Sequence, residues 1–158
     1  MSYATAAQML EWYGAKELVD TATPDDVMLI APQLLRLTVE EGNRGSYEEA
    51  EVAAADLVLE RLQGALEDAS ILMDAYLMRR YTVPFPAAEQ TPLPRICGSI
   101  ARFLLQDERA TPEVKAAYER SLTWLGMVNE GKFMLSKDSG PQYENGQRPF
   151  APESFKNF

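Results

Sequence analysis

The chain has 158 residues, 46% of them hydrophobic, with a net charge of −9, one cysteine and no histidine. Its length and apolar content predict one domain with a sizeable core, and its acidity argues against tight wrapping of nucleic acid, which needs clustered Lys and Arg. The lack of histidine removes the commonest general base and metal ligand.

The remaining composition indicates a protein made in the cytoplasm. The single Cys97 cannot form an intramolecular disulfide, which fits a reducing compartment. The N-terminus lacks the basic start and apolar core of a signal peptide, and no apolar run approaches the roughly 20 residues of a membrane span. We therefore expect a soluble protein with no membrane partner.

Short helices are predicted before the middle of the chain. Thr5 and Gln8 form a plausible capping box for a helix over residues 6–13 that Gly14 closes, and a second helical turn follows at 16–20. Residues 23–26, Thr-Pro-Asp-Asp, resemble a helix start. Since proline interrupts a helix, Pro32 divides the next stretch into two pieces, 25–30 and 32–41, or one kinked helix.

The pattern of residues 46–84 predicts one long helix, around which the rest of the chain is organised. Ser46 and Glu49 fit a capping box, and the rod would be about 50 Å long, with Gly64 as its weak point. Its apolar stripe has a helical period: Leu59, Leu62, Leu66, Ala69, Met73 and Tyr76. The opposite side suits water: Glu60, Gln63, Glu67, Ser70 and Asp74. A helix this long needs partners along its whole length.

Two more helices are predicted after a proline-rich, extended connection at residues 81–94. One begins near Pro94 and runs to about residue 106, with four residues expected to face the core: Ile96, Ile100, Phe103 and Leu104. Thr111-Pro112-Glu113 starts the last helix, and Gly131 can close it. Its stripe is Val114, Ala117, Tyr118, Leu122, Leu125 and Val128.

The fold class is therefore all-α: a small helical bundle around one long helix in residues 1–135, followed by an extended C-terminal arm, 136–158. The arm has no hydrophobic period but carries spaced aromatics, which either belong to a disordered tail or anchor the arm on a partner. These candidate contact residues are Tyr143, Phe150, Phe155 and Phe158.

Arg79, Arg80 and Tyr81 form a second candidate contact group at the end of the long helix. The two cations either complement the helix dipole or reach a neighbouring subunit or partner. No catalytic set can be assembled from the residue types present, so we expect no enzyme, cofactor or metal. Trp12 and Trp124 are interpreted as core residues, and Cys97 as a small buried one.

Three motifs, in order, carry a resemblance to a known family. They are SYATAAQML with the following YG and ELVDTA, then ALEDAS with DAYL and RRYTVP, then the helix containing IARFLLQDERATPEVKAAYERSLTWL and a GK segment. In this order they resemble the Mu-like phage neck protein family, which is related to the head–tail connector (adaptor) proteins of tailed phages. Residues 24–58 and the tail beyond 138 depart from the pattern by their greater length.

The resemblance implies a virion structural protein at the phage neck. It implies a ring of about twelve subunits between the portal protein and a tail-side neck or stopper protein, with DNA passing through without specific binding. The alternative is a cytoplasmic helical adaptor or regulator that binds a single protein. For the ring, we expect residues 62–76 of the long helix to pack within the chain and residues 50–59 to contact the neighbouring subunit.

Overall fold

The computed structural model describes residues 1–135, and every regular element in this part of the chain is helical. The all-α prediction with one long helix is confirmed. The six α-helices are α1 (Ala6–Tyr13), α2 (Ala15–Ala22), α3 (Pro32–Val39), α4 (Glu49–Leu77), α5 (Leu93–Gln106) and α6 (Pro112–Asn129), with 3₁₀ turns at Ala88–Gln90 and Asp107–Arg109. The arm prediction, 136–158, lies outside the described residues, so the division into domain and arm stays a prediction.

The long helix α4 packs against each of the other five helices. Its core side chains form a continuous row from its second turn to its last residue, because helices lie along its whole length. The buried residues are Ala54, Ala55, Val58, Leu62, Ala65, Leu66, Ala69, Ser70, Met73 and Leu77. The expectation that such a long helix needs partners throughout is met largely within the chain itself.

Both ends of α4 differ from the prediction. The capping box is formed by Glu48 and Glu51, not by Ser46 and Glu49, so the helix starts two residues later than expected. It ends at Leu77, before the Arg-Arg-Tyr group, which lies in the following turns. Glu48 is an unusual N-cap, but its carboxylate can accept the free N–H groups at the positive end of the helix.

The predicted division of α4 into a core part and a subunit-contact part is wrong. Ala54, Ala55 and Val58, in the segment assigned to the neighbouring subunit, are buried within the chain. Helix α3 is among the helices that pack on α4, and its Leu34 and Leu35 are completely buried. Alanines give a weak hydrophobic signal, which explains why the sequence pattern missed this buried segment.

Ser70 and Asp74 were also assigned to the wrong side. Ser70 is only 2% exposed, and Asp74 is half-buried. Both are covered by the N-terminal residues before α1, which form hydrogen bonds with them. A polar side chain on an inner face is tolerated when it has such partners.

The predictions for α1 and α2 are largely confirmed. The capping box of Thr5 and Gln8 opens α1, Gly14 follows its last residue, and α2 extends the predicted turn at both ends. The helix predicted over 25–30 is wrong. The Thr23 hydroxyl donates backwards to the Val19 carbonyl at 2.6 Å, closing α2 instead of capping a new helix, and residues 24–27 form a turn.

Helix α5 is rotated relative to the prediction, so that Cys97, Ile100, Ala101 and Leu105 are buried while Leu104 is 39% exposed. A Cβ at Gly98 would overlap the ring of Trp12, which shows how closely α1 lies against α5. The expected start of α6 is confirmed, since the Thr111 side chain accepts from the Val114 N–H. The connection at 81–94, predicted to be extended, contains a 3₁₀ turn.

Candidate protein-interaction surface

The turn after α4 and the chain following α6 meet at one end of the molecule. Tyr81 is buried there and packs edge-on against Phe85, with ring centroids 5.3 Å apart. Its hydroxyl accepts a hydrogen bond from the Leu135 N–H at 3.3 Å. Tyr81 therefore ties the end of α4 to the last described residue, directly before the predicted arm.

Arg80 lies between the two helix ends. Helix α6 closes on Gly131 (φ 79°), where the Gly131 N–H donates to Val128 at 3.0 Å and the Lys132 N–H donates to Met127 at 2.9 Å. A Cβ at Gly131 would overlap the half-buried guanidinium of Arg80. The cation is thus close to the carbonyl end of α6, which is a favourable position for it.

The predicted contact group therefore divides into three different environments. Tyr81 is an internal contact, Arg80 is half-buried and Arg79 is exposed. A role for the arginines in binding a neighbour stays a prediction, and the other four predicted residues lie outside the described part of the chain: Tyr143, Phe150, Phe155 and Phe158.

An open apolar groove runs along the outer face of α6 beside this end. We call it the α6 groove; its volume is about 580 Å³ and its lining is Ala116, Glu119, Arg120, Thr123, Trp124, Met127 and Phe133. The rings of Trp124 and Phe133 are stacked, with centroids 6.5 Å apart. Exposed aromatic and Met side chains are typical of binding surfaces. Trp124 was interpreted as core, but one side of it lines this groove.

A polar cluster holds the N-terminal residues against α4 and α5. The Tyr3 N–H donates to Ser70 Oγ at 3.0 Å, and Ser70 Oγ donates to the Leu66 carbonyl at 2.8 Å. Cys97 Sγ lies 3.5 Å from Ser70 Oγ. Burial raises the pKa of the Cys97 thiol above its ordinary value, so the thiolate is disfavoured and the sulfur is a poor nucleophile.

The Tyr3 phenol bridges two distant segments. Its hydroxyl donates to Asp74 Oδ1 at 2.5 Å and accepts from the Phe85 N–H at 2.9 Å. Burial, followed by the hydrogen bond to Asp74, raises the pKa of Tyr3 well above its ordinary value. This phenol stays protonated, so its contribution is structural: it fixes the start of the chain to α4 and to the loop after it.

A layer of arginines and aromatic rings on α1 and α5 was not predicted. Arg95 lies over Trp12 at 4.9 Å from the ring centroid, and Arg102 lies over Tyr13 at 4.5 Å. Arg102 also pairs through Nε and Nη2 with both carboxylate oxygens of Glu17, at 2.5 and 2.9 Å. No spacing in the sequence indicates this cluster, because α1, α2 and α5 come together only in the fold.

Neither a metal centre nor a membrane span is found among the described residues. No group of three or more His, Cys, Asp or Glu side chains in residues 1–135 could hold a metal ion. None of the helices in that range is both long and apolar enough to cross a membrane.

Comparison with known proteins identifies the family. A family described as "Bacteriophage Mu, Gp36" matches residues 3–151, which is nearly the whole chain. The chain belongs to this gp36 family. The match runs through residues 24–58, so the stretch judged unusually long lies inside the family domain.

Two relatives support the assignment. The chain is 37% identical over 89 residues to the "Mu-like prophage FluMu protein gp36" of Haemophilus influenzae, a region that is 54% of this chain and 62% of the relative. It is 35% identical over 68 residues to "Gene product J" of Escherichia phage Mu, covering 43% of this chain and 48% of the relative. Each alignment spans less than two thirds of the relative's length. The predicted membership of a Mu-like phage protein family is confirmed.

Proposed function

We propose that this gp36-family chain is a structural protein of a Mu-like phage particle that acts as a head–tail connector (adaptor). In this proposal it forms a ring of about twelve subunits at the virion neck, between the portal protein and a tail-side neck or stopper protein. The observation that carries the proposal is the family match over residues 3–151. The function is assembly, with no catalysis.

Two properties of the chain support a role in a DNA conduit. The net charge of −9 disfavours adhesion to a phosphate backbone, so DNA can pass through the ring without specific binding. The described part is a helical body whose apolar α6 groove is left open at the surface. Such a groove suits a protein whose work is to contact other proteins.

The proposed partner contacts lie at the end of the molecule that carries the α6 groove. Residues 136–158 follow directly on Leu135, which is held to Tyr81. We propose that they dock on the portal or on a neighbouring subunit, with Arg79 and Arg80 contacting the same neighbour. The aromatic anchors would be Tyr143, Phe150, Phe155 and Phe158.

The location is tested on purified particles. We expect mass spectrometry to detect the chain in virions and electron microscopy to place a labelled chain at the neck. Recovery of the chain only from the soluble fraction of the infected cell, bound to a single protein, would refute the connector and favour a cytoplasmic adaptor.

The arm is tested by binding to purified portal protein and to the ring. A chain ending at Lys137, and a full chain with Phe150, Phe155 and Phe158 changed to Ser, should both lose binding. The matched control changes three polar residues of the same segment, Gln142, Asn145 and Gln147, to Ser and should bind normally. Unimpaired binding of the truncated chain would contradict the role of the arm.

A further inference from the structure

The chain turns back onto the outer face of α6 directly after that helix. Gly131 (φ 79°) reverses the direction of the backbone, and the Lys132 N–H donates to the Met127 carbonyl at 2.9 Å. Phe133 then stacks on Trp124 of the helix, with the two ring planes 16° apart. The last described residues therefore already form one wall of the α6 groove, and the rest of the chain continues from that wall.

The position from which the arm starts is fixed beside the groove. The Leu135 N–H donates to the Tyr81 hydroxyl at 3.3 Å. Because Leu135 is two residues after Phe133, its Cα lies within about 7 Å of the Cα of that groove residue. Residues 136–158 start from this position, so the groove has a potential occupant in its own chain.

The length and composition of the arm allow an aromatic side chain to reach the whole groove. Residues 136–142, SKDSGPQ, contain no large apolar side chain and include a Gly-Pro pair that is typical of a turn. From Leu135 to Tyr143 an extended chain spans up to about 26 Å. The helical lining from Ala116 to Met127 is about 17 Å long. Tyr143 can therefore contact any part of this lining, and Phe150 follows it within the same segment.

The distribution of charge favours the arm over a second copy of the helical body as the occupant. Residues 136–158 contain three cations and three acids, so the net charge of −9 lies in residues 1–135. The charged lining of the groove is one acid and one cation, Glu119 and Arg120. A second body would bring a large like charge to the contact, which is unfavourable, whereas the arm brings none.

The family match divides the arm into two parts. It ends at residue 151, so it includes Tyr143 and Phe150 but not Phe155 and Phe158. The first two aromatic residues thus belong to the family domain. A domain that extends to residue 151 needs an apolar surface for these side chains, and the α6 groove provides one beside the start of the arm.

We propose that residues 136–151 dock in the α6 groove of the same copy, with Tyr143 and Phe150 packed against Trp124 and Met127. A segment tethered at the groove has an effective concentration of about 1 mM. A separate molecule at micromolar concentration must therefore bind about a thousandfold more tightly to take its place. The contact covers an apolar surface that would otherwise favour aggregation of the free subunit.

The docking does not depend on the proposed connector role, but it refines the partner contacts of that role. With the first part of the arm held in the groove, Phe155 and Phe158 remain for the portal or the neighbouring subunit. This refinement alone rests on the proposed function.

Labelling of a cysteine in the groove tests the docking on the full chain. Thr123→Cys places a thiol on an exposed part of the lining, and Cys97 does not interfere because it is buried. Adding Tyr143→Ser and Phe150→Ser should speed the reaction of this thiol with maleimide about tenfold or more, because the thiol reacts from the undocked state. The matched control adds Asn145→Ser and Gln147→Ser instead and should leave the rate unchanged.

Disulfide formation identifies the copy that supplies the segment. The full chain carrying Thr123→Cys and Glu144→Cys is oxidised at micromolar concentration and run on a non-reducing gel. We expect a monomer with an internal disulfide, seen as faster migration that is lost on reduction. Thr123→Cys with Lys16→Cys is the control pair and should not form this species.

Four results would overturn the proposal. They are equal labelling rates with and without Tyr143 and Phe150, protection that rises with protein concentration, disulfide-linked dimers in place of the internal disulfide, and protection lost through Phe155→Ser and Phe158→Ser instead. The second and third would assign the groove to the arm of another copy. Circular dichroism should show that every variant folds. Binding to the portal protein is scored separately, so failure of the docking is distinguishable from failure of the connector role.

Discussion

Replacing Tyr3 by Phe removes a single oxygen atom that joins three parts of the fold. In the structure this oxygen donates to Asp74 on α4 at 2.5 Å and accepts from the backbone N–H of Phe85 at 2.9 Å. The ring itself is retained, so the apolar contacts of Tyr3 are largely preserved. The variant therefore reports on the two hydrogen bonds alone.

The two losses differ in kind. Phe85 is buried, and a buried donor left without an acceptor costs about 1–3 kcal/mol. A hydrogen bond to a charged group contributes about 1.5–3 kcal/mol, but the Asp74 carboxylate is only half-buried and can be rehydrated, so the lower part of that range applies. We expect the free energy of unfolding to fall by about 2–4 kcal/mol, which lowers Tm by roughly 5–12 °C in a chain of this size.

Urea unfolding and calorimetry of the full chain measure the effect. Tyr118→Phe is the matched control, because the Tyr118 ring is stacked on Phe103 (centroid distance 4.0 Å) and the substitution retains this contact; we expect a change within about 0.5 kcal/mol. If the Tyr3 variant lost less than about 1 kcal/mol, the bridge would not hold the N-terminal residues in place.

The pH dependence gives an independent reading of the same group. The unfolded chain ionises this phenol near its ordinary pKa of 10.0, whereas burial and the Asp74 carboxylate raise the pKa of Tyr3 in the folded chain. Above pH 10.0 the unfolded state therefore binds fewer protons than the folded state, and stability falls as the pH rises further. The alkaline loss should be smaller in Tyr3→Phe than in the wild-type chain, and equal losses would show that Tyr3 is not its source.

Three further predictions concern the packing of Val58, the backbone conformation at two glycines and the accessibility of the Cys97 thiol. Val58→Ala should cost about 2 kcal/mol because this side chain is fully buried, whereas Leu57→Ala on the exposed face should change stability by less than about 0.5 kcal/mol. Equal effects of the two substitutions in urea unfolding would contradict the placement of Val58 in the core. Gly131→Ala should destabilise the fold by about 1–2 kcal/mol, since φ is 79° and the new Cβ would displace Arg80. Gly64→Ala should stabilise the fold by up to about 1 kcal/mol, because Gly64 lies within a helix and a Cβ there would meet no other atom within 4 Å. Cys97 should react with a thiol reagent only in denaturant, because burial raises its pKa and blocks access; rapid reaction of the native chain would place the thiol at the surface.

Capping motifs in the sequence identified helix ends correctly where the capping residue belongs to the helix that it was predicted to begin or end. Thr5 with Gln8, Gly14, Thr111 and Gly131 all occupy the predicted capping positions. These motifs satisfy backbone groups through contacts a few residues away, so their geometry is encoded locally. Thr23 shows the limit, because its hydroxyl was taken by the preceding helix.

The candidate surface was only partly accessible to this reasoning. The sequence drew attention to residues 79–81, and the fold separates them into exposed, half-buried and buried positions. The α6 groove gave no signal of its own, because Trp124 and Phe133 stack across the turn that follows α6. A surface formed by chain reversal depends on distances that periodicity does not contain.

By itself, the sequence determined the all-α class, the positions of most helices and, through its motifs, the Mu-like phage family. Tertiary structure decided which side of each long helix is buried. Helices α4 and α5 each contact several others, so a single apolar stripe does not describe their inner faces. Alanines and Ser70 lie inside α4, while Leu57 and Ile71 lie outside. Burial depends on which helices pack nearby, and hydrophobicity alone does not specify those neighbours.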